Sequence, residues 1–295
     1  MNKENPVLAI VVPCYNEEEI LKKSAETLLD VIKNLNNKIS ENSYICFVDD
    51  GSSDKTWDIL NELMEKSNQI KAIRFACNFG HQKAMMCGMV ENEADIYITI
   101  DCDLQDDINV ISKMVETYLT KDVDVVYGVR NDRSTDSFFK RITAETYYKM
   151  MSQIGVKEIP NCADFRLVSK NVVEVLRNYK ENDIYLRGLI YSLGFRYEKI
   201  YYKRLERIGG TAKYNFERML NLAGAGITSS TITPVRIILF LGIFVILTGI
   251  IKTSSTTLLG GLNLFAIGVV GEYIAKINME VRNRPNWIIK EKKNY

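Results

Sequence analysis

The sequence predicts an α/β domain built on a mostly parallel sheet, and three observations carry that prediction. Short apolar runs alternate with longer amphipathic stretches from residue 7 to residue 128. The short runs are apolar at consecutive positions rather than at every second one, as in strands covered on both faces. Each unusual polar cluster falls just after such a run, where open α/β sheets bind their ligands.

The elements follow in order. Val7–Tyr15 (VLAIVVPCY) is the first strand, and Glu17–Leu35 is a helix with Ile20, Leu28, Val31 and Ile32 as its apolar face. Tyr44–Val48 is the second strand and runs into Asp49-Asp50-Gly51-Ser52. Ser53 or Asp54 is placed to cap the helix that runs to Lys66. Ile70–Phe75 is the third strand, followed by a helix over His81–Glu93. Ile96–Ile100 is the fourth and ends at Asp101-Cys102-Asp103. A helix over Ile108–Thr120 and a strand over Val123–Gly128 continue the alternation. Beyond it, residues 134–170 read as a helix, a polar turn and an apolar stretch. Asn171–Leu176 and Ile184–Leu193 read as helical pieces, and Tyr197–Arg207 as a last strand leading into a basic loop.

Composition narrows the function classes. Over 295 residues, 38 Lys+Arg against 37 Asp+Glu leave a formal charge of +1, which offers no basic excess for generic nucleic-acid binding. Six cysteines without CxxC spacing and a single histidine argue against a zinc site or a disulfide framework, and fit buried thiols in a reducing compartment. No Gly-x-Gly-x-x-Gly follows the first strand, and there is neither a Walker lysine motif nor a GxSxG elbow. His81, at the start of a helix, reads as a capping or packing group.

The chain changes character near residue 232. Between Arg236 and Glu272 the only charge is Lys252, and basic residues gather outside both ends. The charge pattern predicts a short membrane hairpin over 232–277 with both flanks cytoplasmic, either spanning or re-entrant; a buried core hairpin is the alternative. Residues 211–231 read as an amphipathic interfacial helix, and 278–295 as a basic cytoplasmic tail.

Three clusters carry chemistry. Asp101 and Asp103 alternate at a strand end, so both carboxylates can approach one hard divalent cation, Mg²⁺ or Mn²⁺. Asp49 and Asp50 end the neighbouring strand, one to form the turn and the other to face a nucleotide. Arg204, Arg207 and Lys213 surround Gly209-Gly210 in a basic loop, suited either to a specific phosphate or to general attraction to anionic lipid. Asp164 and Arg166 either pair structurally or bring a carboxylate and a cation to the reacting centre.

Taken in order, Pro13-Cys14-Tyr15-Asn16-Glu17-Glu18, Asp49-Asp50-Gly51-Ser52-x-Asp54, Asn78-Phe79-Gly80-His81-Gln82 and Asp101-Cys102-Asp103-Leu104-Gln105-Asp106 resemble the family 2 glycosyltransferases of GT-A fold. Asp164-Phe165-Arg166, Leu186-Arg187-Gly188 and Tyr202-x-Arg204-x-x-Arg207-x-x-Gly210-x-x-Lys213-Tyr214 narrow the resemblance to polyprenyl-phosphate glycosyltransferases, nearest in look to the bactoprenol glucosyltransferase branch. It covers nearly the whole chain and makes residues 1–210 the catalytic domain.

The resemblance implies inverting transfer of one sugar, glucose by preference, from a UDP-sugar to undecaprenyl phosphate at the cytoplasmic face of the plasma membrane. By the same resemblance Pro13, Tyr15, Glu17, Asp50, Asp101 and Gln105 hold the nucleotide sugar. Asp101 and Asp103 hold the metal, and Arg204, Arg207 and Lys213 meet the acceptor phosphate. Asp103, Asp164, Arg166 and Arg204 are then the catalytic group, and a homo-oligomer, often a tetramer, is implied. The hairpin is shorter here than in that family. The competing readings are the same fold acting on another lipid or glycan acceptor, and an inactive membrane-anchored assembly factor.

Overall fold

In the computed structural model, the described residues are 5–131, 159, 161–179, 185–203, scattered helical positions between 263 and 281, and 285–294. They form β1 (Leu8–Cys14), α1 (Leu21–Asn34), β2 (Tyr44–Asp49), α2 (Thr56–Lys66), β3 (Ile70–Phe75), α3 (His81–Val90) and β4 (Ile96–Thr99). There follow α4 (Asn109–Thr120), β5 (Val125–Arg130), β6 (Cys162–Ser169), α5 (Lys170–Leu176), α6 (Leu186–Ser192), β7 (Tyr197–Tyr202) and β8 (Ile289–Lys293).

One eight-stranded sheet runs β7-β5-β6-β4-β1-β2-β3-β8. β1 pairs in parallel with β2 on one side and β4 on the other, and β2 pairs in parallel with β3. The chain therefore winds outward from β1 through β2 to β3, then returns to β1's other flank at β4. That reversal opens a crevice between the carboxyl ends of β1 and β4, the ligand position in such sheets. β6 lies antiparallel between β4 and β5, so its first residues, not its last, reach this same edge.

Both faces of the sheet are covered, which explains the unbroken apolar runs. Leu8, Ile10 and Val12 of β1 pack into one core with Leu28 of α1, Leu60 of α2 and Met114 of α4. Ala9 and Val11 point into the other, with Met85 and Met89 of α3 and Val173 of α5. Helix α3 sits tight on the sheet because residue 88 is glycine: a Cβ there would stand 2.2 Å from Val11 Cγ1 and 3.0 Å from Val48 Cγ2.

Two features depart from the sequence reading. The last residues add an eighth strand: β8 pairs antiparallel to β3, and Trp287 stacks on Phe75 at 6.4 Å between ring centroids. Its IKEKK sequence, only partly buried, lacks the apolar run that marks the other strands. The second departure is the membrane hairpin. Among the described residues no helix is long and apolar enough to cross a membrane. No described helix bears out the hairpin expected over 232–277, most of which lies outside the described residues, and the membrane-face placement and plasma-membrane localisation that rest on it have no support in the structure. The apolar runs Ile237–Ile251 and Leu258–Gly271 are each shorter than the roughly 20 residues a span requires, so a span would have to take in Arg236 at one end and Glu272 and Lys276 at the other. The expected helix over 211–231 and residues 132–158 lie outside the described residues.

The α3 contact yields a prediction. Gly88→Ala forces a methyl group into Val11 and is expected to destabilise the fold by about 1–3 kcal/mol, read by urea unfolding. Unchanged stability would show that α3 does not rest on the sheet as described.

Candidate active site at the carboxyl edge of the sheet

The end of β1 and the end of β2 are tied into one rim. The Asn16 N–H donates to Ser52 Oγ and the Glu17 N–H to Thr56 Oγ1, both at 2.9 Å. The Asn16 side-chain oxygen accepts from the Ser53 N–H at 2.9 Å, an exchange made possible by a left-handed backbone at Asn16 (φ 53°). On this rim Pro13 is buried, Glu17 half-buried and Tyr15 exposed.

The two aspartates of β2's end divide their work. Asp49 Oδ1 accepts from the Ser52 N–H at 2.9 Å and closes the turn, while Arg74 Nε stands 3.4 Å from Oδ2. Asp50 uses both oxygens on the loop before α3, accepting from the N–H groups of Phe79 (2.7 Å) and Gly80 (2.9 Å). Burial raises both carboxyls above their usual pKa, against the pull of these hydrogen bonds. Between this turn and that loop a Cβ at Gly51 (φ 70°) would lie 2.5 Å from the Cys77 carbonyl carbon, so glycine is required there.

Across the crevice, the segment after β4 alternates. Asp101, Asp103 and Gln105 are partly exposed, whereas Cys102, Leu104 and Asp106 are buried. Left-handed backbone at Leu104 (φ 52°) and a bond from the Gln105 N–H to Asp103 Oδ1 (3.2 Å) shape this loop. His81 Nε2 lies 3.2 Å from Asp101 Oδ1, near enough for charge attraction, although that oxygen has no partner of hydrogen-bond geometry. Desolvation disfavours the imidazolium, but Asp101 and Asp164 together outweigh it and raise the His81 pKa to about 9. Asp101 is itself held below its usual value, since the attraction of His81 overcomes the cost of burial. His81 also acts electrostatically on Asp50 and Asp164, so one cation joins the ends of β2, β4 and β6.

Asp164 is the most heavily engaged carboxylate. Arg187 donates to it in a fork, Nε to Oδ1 at 3.0 Å and Nη2 to Oδ2 at 2.9 Å. Arg166 Nη2 adds a bond to Oδ1 at 2.6 Å and the Gln82 amide one to Oδ2 at 3.2 Å. Burial opposes ionisation here, yet the two guanidinium groups hold the carboxyl far below the usual carboxylate range. Arg166 is 1% exposed, and its Nε and Nη1 have no hydrogen-bond partner. It therefore meets the cleft through Asp164.

The structure thus brings Pro13, Tyr15, Glu17, Asp50, Asp101, Asp103, Gln105 and Asp164 to one sheet edge. Arg204, Arg207 and Lys213 lie outside the described residues. Sequence reasoning gave no individual role to Gln82, Arg187, Asp106, Arg130 or Tyr202. All but Arg130 sit inside the quoted motifs, but only the fold shows what they touch.

The site fits a divalent cation in part. Asp101 Oδ1 is a buried oxygen with no hydrogen bond, beside the partly exposed Asp103, and both offer hard donors. Among the described residues no group of three or more His, Cys, Asp or Glu is placed to hold a metal. A cation held by Asp101 and Asp103 would need further oxygen ligands, such as substrate phosphate or water, as Mg²⁺ commonly does.

The model of glycosyl transferase family 2 matches residues 9–177, more than half of the chain, from the second residue of β1 through all of β6. The chain belongs to glycosyl transferase family 2. The glycosyltransferase YkoT of Bacillus subtilis (strain 168) is 39% identical, with 98% of this chain and 93% of that protein covered. The SfII prophage-derived bactoprenol glucosyl transferase of Shigella flexneri is 36% identical, with 96% and 97% covered. A mycobacterial protein of known crystal structure superposes with a TM-score of 0.52 at 12% identity, covering 77% of this chain and 74% of its own, and shares the fold. This family 2 chain is accordingly a glycosyltransferase with a GT-A-like nucleotide-sugar-binding fold.

The Asp164 cluster predicts a stability signature. Asp164→Ala leaves Arg166 buried without its counter-charge and is expected to cost about 3–5 kcal/mol. A carboxyl held below its ordinary pKa contributes fully above the unfolded-state value of about 4 and loses that contribution only in stronger acid. The wild-type advantage in denaturant unfolding is expected to hold steady between about pH 8 and 5. An advantage that shrinks from pH 7 to 5 contradicts an ionised, doubly paired Asp164.

Proposed function

We propose that this glycosyltransferase moves a single sugar, glucose by preference, from a UDP-sugar to a polyprenyl phosphate of the undecaprenyl type. The observation that carries the proposal is the outward alternation of Asp101, Asp103 and Gln105 beside the β1–β2 rim. This sets an all-oxygen acidic pair next to a nucleotide-sized rim. Similarity to bactoprenol glucosyl transferases along nearly the whole chain supports the acceptor class and the sugar.

In this reading Pro13, Tyr15, Glu17 and the Asp50-braced loop line the nucleotide site, and Gln105 lies beside the sugar diphosphate. Asp101 and Asp103 hold Mg²⁺ or Mn²⁺, which supplies positive charge to the departing diphosphate. An oxygen of the acceptor phosphate attacks the anomeric carbon from the face opposite the diphosphate. The bond from that carbon to the diphosphate breaks, the electron pair leaves with UDP, and configuration inverts. The acceptor is already an anion, so no base has to take a proton from it. That agrees with an Asp164 engaged by two arginines: it orients the arginines and the α3 end rather than titrating. Arg204, Arg207 and Lys213 receive the acceptor phosphate and lower its repulsion from the donor.

The test uses the full chain with UDP-glucose, UDP-N-acetylglucosamine or UDP-galactose, undecaprenyl phosphate in detergent, and Mg²⁺ or Mn²⁺. The lipid is read by mass spectrometry. A lipid monophosphate hexose is expected from UDP-glucose, with Asp103→Asn reducing its rate by about 10²–10³-fold, the size of losing one charge-stabilising group. UDP-glucose hydrolysis without lipid product points instead to another lipid or glycan acceptor. No turnover of any donor by the folded chain favours an inactive assembly factor.

A further inference from the structure

The buried member of the alternating loop, Asp106, has no part in the chemistry above. It is 2% exposed and three residues beyond Asp103. Its Oδ1 accepts from Arg130 Nη2 at 3.0 Å and from the Tyr202 hydroxyl. Arg130 and Tyr202 are the last residues of β5 and β7 and stand opposite each other in that parallel pair. Arg130 Nε also lies 3.4 Å from Tyr202 Oη, and the Tyr202 ring meets Phe165 of β6 edge-on at 5.6 Å. One carboxylate thus collects the ends of two strands that form no part of the β1–β4 crevice.

The loop it holds needs an external tie. Residues 101–106 leave β4 through a left-handed Leu104, which relaxes readily unless its surroundings fix it. The buried Cys102 and Leu104 share the loop's inward face, and one residue further on Asp107 Oδ1 accepts from the Asn109 N–H at 3.0 Å at the start of α4. With Asp106 pinned inward, period-two alternation turns Asp103 and Gln105 outward. If Asp106 rotates away, the same period carries them with it.

We infer that Asp106 is a positioning residue, which fixes the Asp101–Gln105 loop in its metal-binding form through Arg130 and Tyr202. The inference rests on the proposed metal site at Asp101 and Asp103.

Calorimetric titration of the full chain with UDP, with and without Mn²⁺, tests this, alongside thermal unfolding. Partners that orient metal ligands change metal affinity about 10–100-fold when removed. Asp106→Ala is expected to lower the Mn²⁺-dependent gain in UDP affinity at least about tenfold while leaving metal-free UDP binding unchanged. Asp106→Asn, which keeps the acceptor oxygen, is expected to restore much of that gain. Arg130 is partly exposed and can turn to water, so a folded Asp106→Ala chain is expected. If that chain does not fold, Tyr202→Phe decides: it keeps the ring against Phe165, removes one donated bond, and is expected to reduce the Mn²⁺ gain severalfold. A full Mn²⁺ gain in folded Asp106→Ala, or in Tyr202→Phe where that variant decides, overturns the inference. Asp103→Asn separates the two claims. Its loss of the Mn²⁺ gain upholds the metal site whatever Asp106 does, whereas an intact gain removes the metal site and this inference together.

Discussion

A sheet covered on both faces pushes the carboxylates of its central strands to the strand ends, and there each charge must be met by the protein or by a ligand. In this chain the carboxyl edge gathers Asp49, Asp50, Asp101, Asp103, Asp106 and Asp164. Burying a carboxylate is costly unless it finds donors, so each of the buried ones is matched: Asp50 by two backbone N–H groups, Asp106 by Arg130 and Tyr202, Asp164 by Arg166 and Arg187. Those pairings are what fasten the loops together. Asp101, beside His81, and Asp103, which accepts from the Gln105 N–H, are the carboxylates of this edge that stay partly exposed and within a ligand's reach.

The same arithmetic of charge separates scaffold from chemistry. Asp164 resembles a catalytic carboxylate by position, yet its two arginines hold it ionised and occupied. Its effect on the reaction passes through the groups it orients. His81 stands between the clusters, close to Asp101 and felt by Asp50 and Asp164, and balances an otherwise acidic crevice. A donor carrying its own negative diphosphate needs that balance, and further positive charge, before it can approach.

Much of this was legible in the sequence because it depends on local pattern. Doubly buried strands read as apolar runs, and a polar residue after such a run marks the functional edge; this located β1 to β5 and the clusters at Asn16, Asp49 and Asp101. What depends on distant pairing was not legible. β8 looks like a charged tail because an edge strand buries little, and only β3 and Phe75 give it a place. The fork between Arg187 and Asp164 spans 23 positions in sequence, and the tie from Asp106 to Tyr202 spans 96. The hairpin suggested by flanking charge is borne out by no described helix, and most of it lies outside the described residues.

The central claim is that the crevice between β1 and β4 is the donor site and that Asp101 and Asp103 define its metal. A crystal structure of the chain with Mn²⁺ and UDP, with manganese located by its anomalous scattering, addresses it directly. The account predicts manganese within bonding distance of Asp103 or Asp101, and of the UDP diphosphate, with uracil on the rim formed by Tyr15, Glu17 and the Asp50-braced loop. Manganese bound away from both aspartates, or UDP seated outside this crevice, contradicts it.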